Sequence, residues 1–216
     1  MPDLRFQVEA ADVTPFAMVP QLTFRLRVTN ASPDETIHNV VLRCQIQIEA
    51  TRRHYGPDEE ARLRDLYGEP ERWGQTLRAM LWTHASVVVP PFTGETTAEL
   101  PVACTYDFNI AATKYFYALE EGEIPLDFLF SGSVFYQDGE GALQVAPISW
   151  SLEARFRLPV KTWRQLMNTY YPNTAFIELR RDVFDRLYQY KMRHGIPTWE
   201  QAVERILPPV DEEAPV

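Results

Sequence analysis

Leu4, Phe6 and Val8 alternate with Arg5, Gln7 and Glu9, the two-residue period of a strand with one face buried. Residues 22–28 repeat the pattern: Leu22, Phe24, Leu26 and Val28 share one face, Arg25 and Arg27 the other. A third run sets Val40, Leu42, Cys44, Ile46 and Ile48 against Arg43, Gln45 and Gln47. Asn30-Ala-Ser-Pro-Asp34 between them reads as a turn, because Asn, Ser and Asp side chains bond their own backbone and proline fixes φ. Further strands are predicted over 80–89, 96–104, 126–136, 142–148 and 151–158, with the loop 137–141, Gln-Asp-Gly-Glu-Gly, supplying hairpin residues. About eight short strands separated by turn signals indicate a β-sandwich.

Helical spacing interrupts this pattern in two places. Pro57 followed by Asp58, Glu59 and Glu60, with Gly68 as a stop, predicts a short helix. It opens an insertion near 57–78 that carries Arg72 and Trp73 and is the first candidate functional loop. Residues 105–119 read as strand at Asp-Phe-Asn-Ile-Ala and then as a short helix ending at Gly122. After residue 159 the chain turns helical. Val160, Trp163, Leu166, Met167 and Tyr170 form one stripe. A second helix has Asp182 as its expected N-cap and Gly195 as its stop, and Thr198 with Gln201 makes a capping box for a third. The predicted fold is therefore α+β and mainly β: an antiparallel sandwich over 1–158 with a short helical insertion, a helical extension over 159–207, and an acidic tail over 208–216 that reads as disordered.

Composition narrows the function more by exclusion than by motif. The 216 residues are 45% hydrophobic and 12% aromatic, enough for a sizeable core. The formal net charge of −9 repels phosphate backbones and anionic lipid, so nucleic acid is not an expected partner. No run approaches the roughly 18 apolar residues of a membrane span, and the N-terminus lacks the features of a signal peptide. A cytoplasmic location is expected. Cys44 and Cys104 fall on the apolar phase of their strands and read as buried thiols; whether they lie close together is open.

No recognised catalytic constellation is present. His38, His54, His84 and His194 show no short metal-ligand spacing, which leaves only a site assembled in three dimensions from His54, His84 and an acid. Phosphate loops and a serine elbow are missing, and no motif asks for a cofactor. Glu120, Glu121 and Glu123 read as a solvated helix end rather than as paired catalytic carboxylates. Trp73, Trp82, Tyr106, Tyr115 and Tyr117 raise sugar binding, although rings of this kind are mostly core. One local asymmetry stands out: Arg180, Arg181, Arg186, Lys191 and Arg193 crowd the C-terminal helices of an acidic protein, with Tyr190 among them. Such a face is either a solvated helix surface or a dock for an acidic partner, where Arg and Tyr are common anchors.

The strings VLRCQIQIEATRRHYGP, GEPERWGQTLRAMLWTH, PFTGETTAELPVACTYDF, LFSGSVFYQ and RHGIPTWEQAVERIL together resemble a bacterial, largely actinobacterial family of unknown function, over Leu4 to Leu207. Members of that family are often encoded beside uptake [NiFe]-hydrogenase genes. The resemblance implies an accessory, maturation or assembly role and transfers no catalytic residue. The leading expectation is a non-enzymatic protein that docks a hydrogenase or other redox subunit through Arg72 and Trp73 and through Arg180, Arg181, Arg186, Tyr190 and Arg193. The alternative is a sandwich that binds carbohydrate or another small ligand, with hydrolase activity as one version. A third is a homo-oligomer that exchanges its helices.

Overall fold

The first alternating run forms β1 (Leu4–Val13), which pairs antiparallel with β2 (Gln21–Asn30) across a bulge between Val8 and Ala10. β3 (Ile37–Ile48) follows, buries every apolar residue that its alternation assigns to one face, and leads into the helical insertion. The insertion holds α1 (Pro57–Tyr67) and α2 (Trp73–Thr76). Next come β4 (Met80–Val89), β5 (Glu95–Ala103), α3 (Ile110–Ala118), β6 (Glu123–Gln137), β7 (Leu143–Pro147), β8 (Glu153–Pro159) and α4 (Val160–Tyr170). α5 (Arg181–Arg193) and α6 (Trp199–Glu204) follow. This is a computed structural model, and it describes residues 2–32 and 35–207. The turn expected at 30–34 falls partly outside those residues, and the acidic tail 208–216 wholly so.

The chain divides into two compact units, Met1–Thr174 and Ala175–Val216. In the first, one sheet runs β1-β2-β5 and the other runs β4-β3-β6, with β7 and β8 both paired to β6. All pairings are antiparallel, so the unit is a sandwich within an α+β, mainly β architecture. The inner faces meet through aromatic rings. Phe6 stacks on Phe130 at 4.5 Å, and Phe24 meets Phe128 edge-on at 5.1 Å. Alternation explains much of this core: β2 and β3 bury close to one residue in two, mostly Leu, Ile, Val and Phe, whereas β6 buries a continuous run from Ile124 to Phe128.

β6 carries a glycine where one is required. Gly132 sits at φ +132°, and a Cβ there would collide with the Val41 carbonyl oxygen on the neighbouring β3. Only glycine allows the two backbones to approach so closely.

The insertion is clamped rather than loose. The Arg53 guanidinium and the Glu59 carboxylate, both nearly buried, pair at 2.6 Å. Arg53 also donates to the Glu121 and Glu123 carbonyls at 2.6 and 2.9 Å, and Glu59 accepts from the Glu120 amide at 2.8 Å. Together they tie the start of α1 to the turn between α3 and β6. Residues 106–108 form a turn and α3 begins at Ile110, where strand was the expected reading at 107–111. Asn109 decides it, since its side-chain oxygen caps the Ala112 amide at 3.0 Å while its NH2 donates to the Leu81 and Trp82 carbonyls. α4 buries the stripe Val160, Trp163, Leu166 and Met167, and the Tyr170 hydroxyl reaches the Ala17 carbonyl at 3.0 Å.

The second unit is an extended lead-in followed by α5 and α6. Gly195 at φ +62° ends α5, as its position suggests, and Thr198 caps α6 by accepting from the Gln201 amide at 3.2 Å. Asp182 is not the N-cap of α5. Arg180 holds that position, and Asp182 lies in the first turn, 3.2 Å from the Arg180 guanidinium.

Candidate functional site

α5 is strongly amphipathic, yet it buries none of its residues. Val183, Leu187 and Tyr190 recur at helical spacing along one side, and with Trp199, Val203 and Ile206 they line a groove of about 850 Å³. Its wall is an aromatic cluster. Trp199 lies 5.4 Å from Phe184 and 6.1 Å from Tyr188, and the Lys191 ammonium sits 5.5 Å from the Trp199 ring centre. Two buried residues anchor the turn and α6: Ala202 is fully buried, and Ile196 bonds the Lys191 carbonyl through its amide. Gly195 supplies the reversal that lets α6 fold back towards α5.

The basic residues singled out by sequence divide by position. Arg186 and Tyr190 line the groove itself. Arg180 and Arg181 stand at the N-terminus of α5 and engage Asp182 and Asp185 in exposed pairs at 3.2 and 3.9 Å. Arg193 is exposed in the last turn, next to the position where Tyr190 and His194 pack with ring centres 4.5 Å apart. Such exposed pairs contribute little to stability and leave the guanidinium groups open to exchange partners. α5 as a whole carries four cations against two acids, the reverse of the chain's overall balance.

Arg72 and Trp73 belong to the other unit. Arg72 is exposed. Trp73 is half-buried, donates from its indole nitrogen to the Gly68 carbonyl at 2.9 Å, and packs edge-on against Tyr55 and Tyr67. Its ring covers an aromatic cluster that continues to Tyr115, whose hydroxyl lies 2.9 Å from that of Tyr55. Burial raises the Tyr67 and Tyr115 hydroxyls well above the usual phenol range and that of Tyr55 to about 12, so these are packing groups at neutral pH.

The remaining candidates are placed as follows. Trp82, Tyr106 and Tyr115, three of the five rings that raised sugar binding, are buried in the core, while Tyr117 is exposed on α3. Glu120 pairs with Arg62 at 2.7 Å and Glu123 with Arg157 at 3.8 Å, both at the surface. Cys44 and Cys104 are buried, and desolvation pushes both thiols up to about 12, which keeps them protonated and unreactive. His54 precedes α1 and His84 lies on the outer face of β4. Among the described residues no group of three or more His, Cys, Asp or Glu is placed to hold a metal ion, and no helix is long and apolar enough to cross a membrane.

The sequence points to the cations of α5 but not to the apolar side of the same groove, formed by Phe184, Leu187, Trp199 and Val203. The available signal was the helical spacing of 183, 187 and 190, followed so soon by the capped segment that begins at Thr198.

Comparison with known proteins adds a family and little else. The model of a family described as of unknown function, DUF6084, matches residues 1–215. No curated protein matches the sequence. Among solved structures, the chain is similar to a CARDB domain from Pyrococcus furiosus, determined with di-metal ions, at 13% identity, covering 73% of this chain and 92% of that one with a TM-score of 0.28. It is also similar to IrmA from Escherichia coli, at 11% identity, covering 83% of this chain and 98% of that one with a TM-score of 0.31. At those scores neither likeness carries a functional argument.

Proposed function

The chain belongs to DUF6084, and we propose that it is a non-enzymatic accessory protein that holds a protein partner in the groove between α5 and α6. The observation that carries this reading is a continuous apolar groove walled by Trp199, Phe184 and Tyr190 and edged by cations, on a helix that buries none of its own residues. Helix-in-groove recognition needs such a surface, and Trp, Tyr and Arg are the residues on which binding energy concentrates. The occupant is an amphipathic helix whose apolar stripe enters the groove and whose flank is acidic, the charge that matches Arg181, Arg186 and Arg193. Its source is a subunit of a hydrogenase-type redox complex in the bacterial cytoplasm, and the role is assembly or maturation rather than chemistry. Arg72 and Trp73 form a secondary contact.

Affinity purification of tagged protein from its native host, followed by mass spectrometry, tests this. Stoichiometric recovery of redox-complex subunits is expected from the wild type. An Arg181→Glu, Arg186→Glu variant with an unchanged melting temperature is expected to lose them. Equal recovery by that variant overturns the groove assignment, and a dimeric mass with no other protein bound replaces the partner by a second copy of this chain.

A further inference from the structure

A second recess lies on the sandwich unit, on the outer face of its five-stranded sheet, and it differs in kind from the helical groove. Strand register builds it. Gln45 on β3 stands between His84 on β4 and Leu129 on β6; one row along, Arg43 stands between Ser86 and Ser131. Residues directly opposite each other on one face have Cβ atoms about 5 Å apart, so these rows form a continuous floor that is polar except at Leu129. β7 and β8 pair with the same side of β6, and residues 148–152 bridge them opposite 130–132. The Ile148 amide donates to the Gly132 carbonyl at 2.9 Å and the Phe130 amide to the Leu152 carbonyl at 3.0 Å, which pins both ends of the bridge. Trp150 projects from its middle. The side chain is 89% exposed and, with the two rows, lines an open cleft of about 420 Å³.

Two observations separate this cleft from an ordinary surface dent. First, β6 changes its edge partner from β8 to β7 across 130–132, and the bridge anchored there carries Trp150 at the mouth of the cleft. Second, the side chains of Arg43, Gln45, His84, Ser86 and Ser131 make no hydrogen bond or ion pair within the described residues. A planar apolar ring in the same cleft as a guanidinium, an amide, an imidazole and two hydroxyls suits a ligand with an apolar face, several hydroxyls and one anionic group. Sugar rings present apolar C–H faces that stack on indole, their hydroxyls match the amide and the serines, and a carboxylate matches the forked donors of arginine. We infer that this cleft is a binding subsite for a sugar ring that carries a carboxylate, with Trp150 as the stacking platform and Arg43 as the carboxylate anchor. The assignment is independent of the helical groove, and either can fail without the other.

An open cleft with one platform binds weakly, and for a monosaccharide a Kd on the order of 1 mM is expected. The test is isothermal titration and saturation-transfer NMR on the full chain with D-glucuronate, D-glucose and benzoate. Saturable glucuronate binding near that Kd is expected, with glucose about tenfold weaker and benzoate weaker still. Trp150→Ala should weaken glucuronate more than tenfold at an unchanged melting temperature, because the ring lies outside the core. Arg43→Gln should bring glucuronate down to the level of glucose and leave glucose unaffected. No saturable binding of either sugar, or glucuronate binding that survives Trp150→Ala, overturns the subsite. Glucose binding as tightly as glucuronate removes the carboxylate anchor, and benzoate binding most tightly of the three removes the sugar.

Discussion

In the sandwich unit the apolar half of β2 and β3 is buried, whereas α5 buries none of its residues although its apolar stripe is just as regular. The same hydrophobic driving force acts on both. A sheet face is covered by the opposing sheet, so Phe6 finds Phe130 and Phe24 finds Phe128 within the unit. Two short helices of 13 and 6 residues can cover only part of each other, and among the described residues of this unit just Ala202 and, in the turn before it, Ile196 are buried. What remains is a surface that a partner can complete. Periodicity therefore reports that a face is apolar; whether the chain itself covers that face depends on what else it supplies.

The sharpest way to break the sandwich side of this comparison is Gly132→Ala. A methyl group there meets the Val41 carbonyl, and the local φ of +132° is strained for any L side chain. Separation of β3 and β6 at the centre of the larger sheet is expected to cost about 4 kcal/mol or to abolish folding, read by urea unfolding. A loss under about 1 kcal/mol would mean that the sheet repacks freely at this point.

Next in size is the clamp on the insertion. Arg53→Met leaves the Glu59 carboxylate buried without its partner, and a loss of about 3 kcal/mol is expected. The double variant Arg53→Met, Glu59→Met should recover a large part of that loss, because two apolar side chains of similar size need no counter-charge. If the double variant were no more stable than the single one, the carbonyl bonds of Arg53 to Glu121 and Glu123 would be its main contribution rather than the ion pair.

Much of the sandwich was legible because strand alternation is a local signal: 4-6-8, 22-24-26-28 and 40-42-44-46-48 name the buried face without any knowledge of the partner strand. Residues 107–111 misled because Phe108 and Ile110 alternate as a strand would, while Asn109 forms its decisive bonds with Leu81 and Trp82, far away in sequence. The sites were harder to read. The α5 cations stood out by charge alone, but the groove requires α6 to fold back, and that is tertiary information. Trp150 drew no notice because a single Trp between two serines has no period. Its meaning arises only when Arg43, Gln45, His84, Ser86 and Ser131 from three strands are aligned in one cleft with it by register.

Alkaline pH probes the same burial more gently. Unfolded thiols ionise near 9.0, whereas Cys44 and Cys104 in the sandwich are pushed up to about 12 by burial. Their contribution is therefore fully present below pH 9. It declines as the pH rises towards 12, because the unfolded chain releases protons that the folded chain keeps. The loss at pH 10 is expected to be about 1 kcal/mol per thiol relative to pH 8, measured from urea midpoints. Cys44→Ala with Cys104→Ala should flatten that slope while leaving the contribution of Tyr55, which shifts from 10.0 to about 12. Identical slopes in both proteins would assign the alkaline loss to other groups.

The smallest expected effect on stability carries the most weight for function. Val40 and Val203 are both valines on regular apolar stripes, but Val40 is fully buried in the sandwich and Val203 is 41% exposed in the helical groove. Val40→Ser removes packed methyl groups and buries a hydroxyl, a cost of about 3 kcal/mol. Val203→Ser changes a surface position and should stay within about 0.5 kcal/mol of the wild type. If the groove is completed by an amphipathic acidic helix, the order of the two variants reverses when binding is measured instead of unfolding: Val203→Ser loses the partner in the pull-down, and the fraction of Val40→Ser that remains folded keeps it. A Val203→Ser protein as destabilised as Val40→Ser would show that the chain itself already covers that face, and the contrast between the two units would disappear.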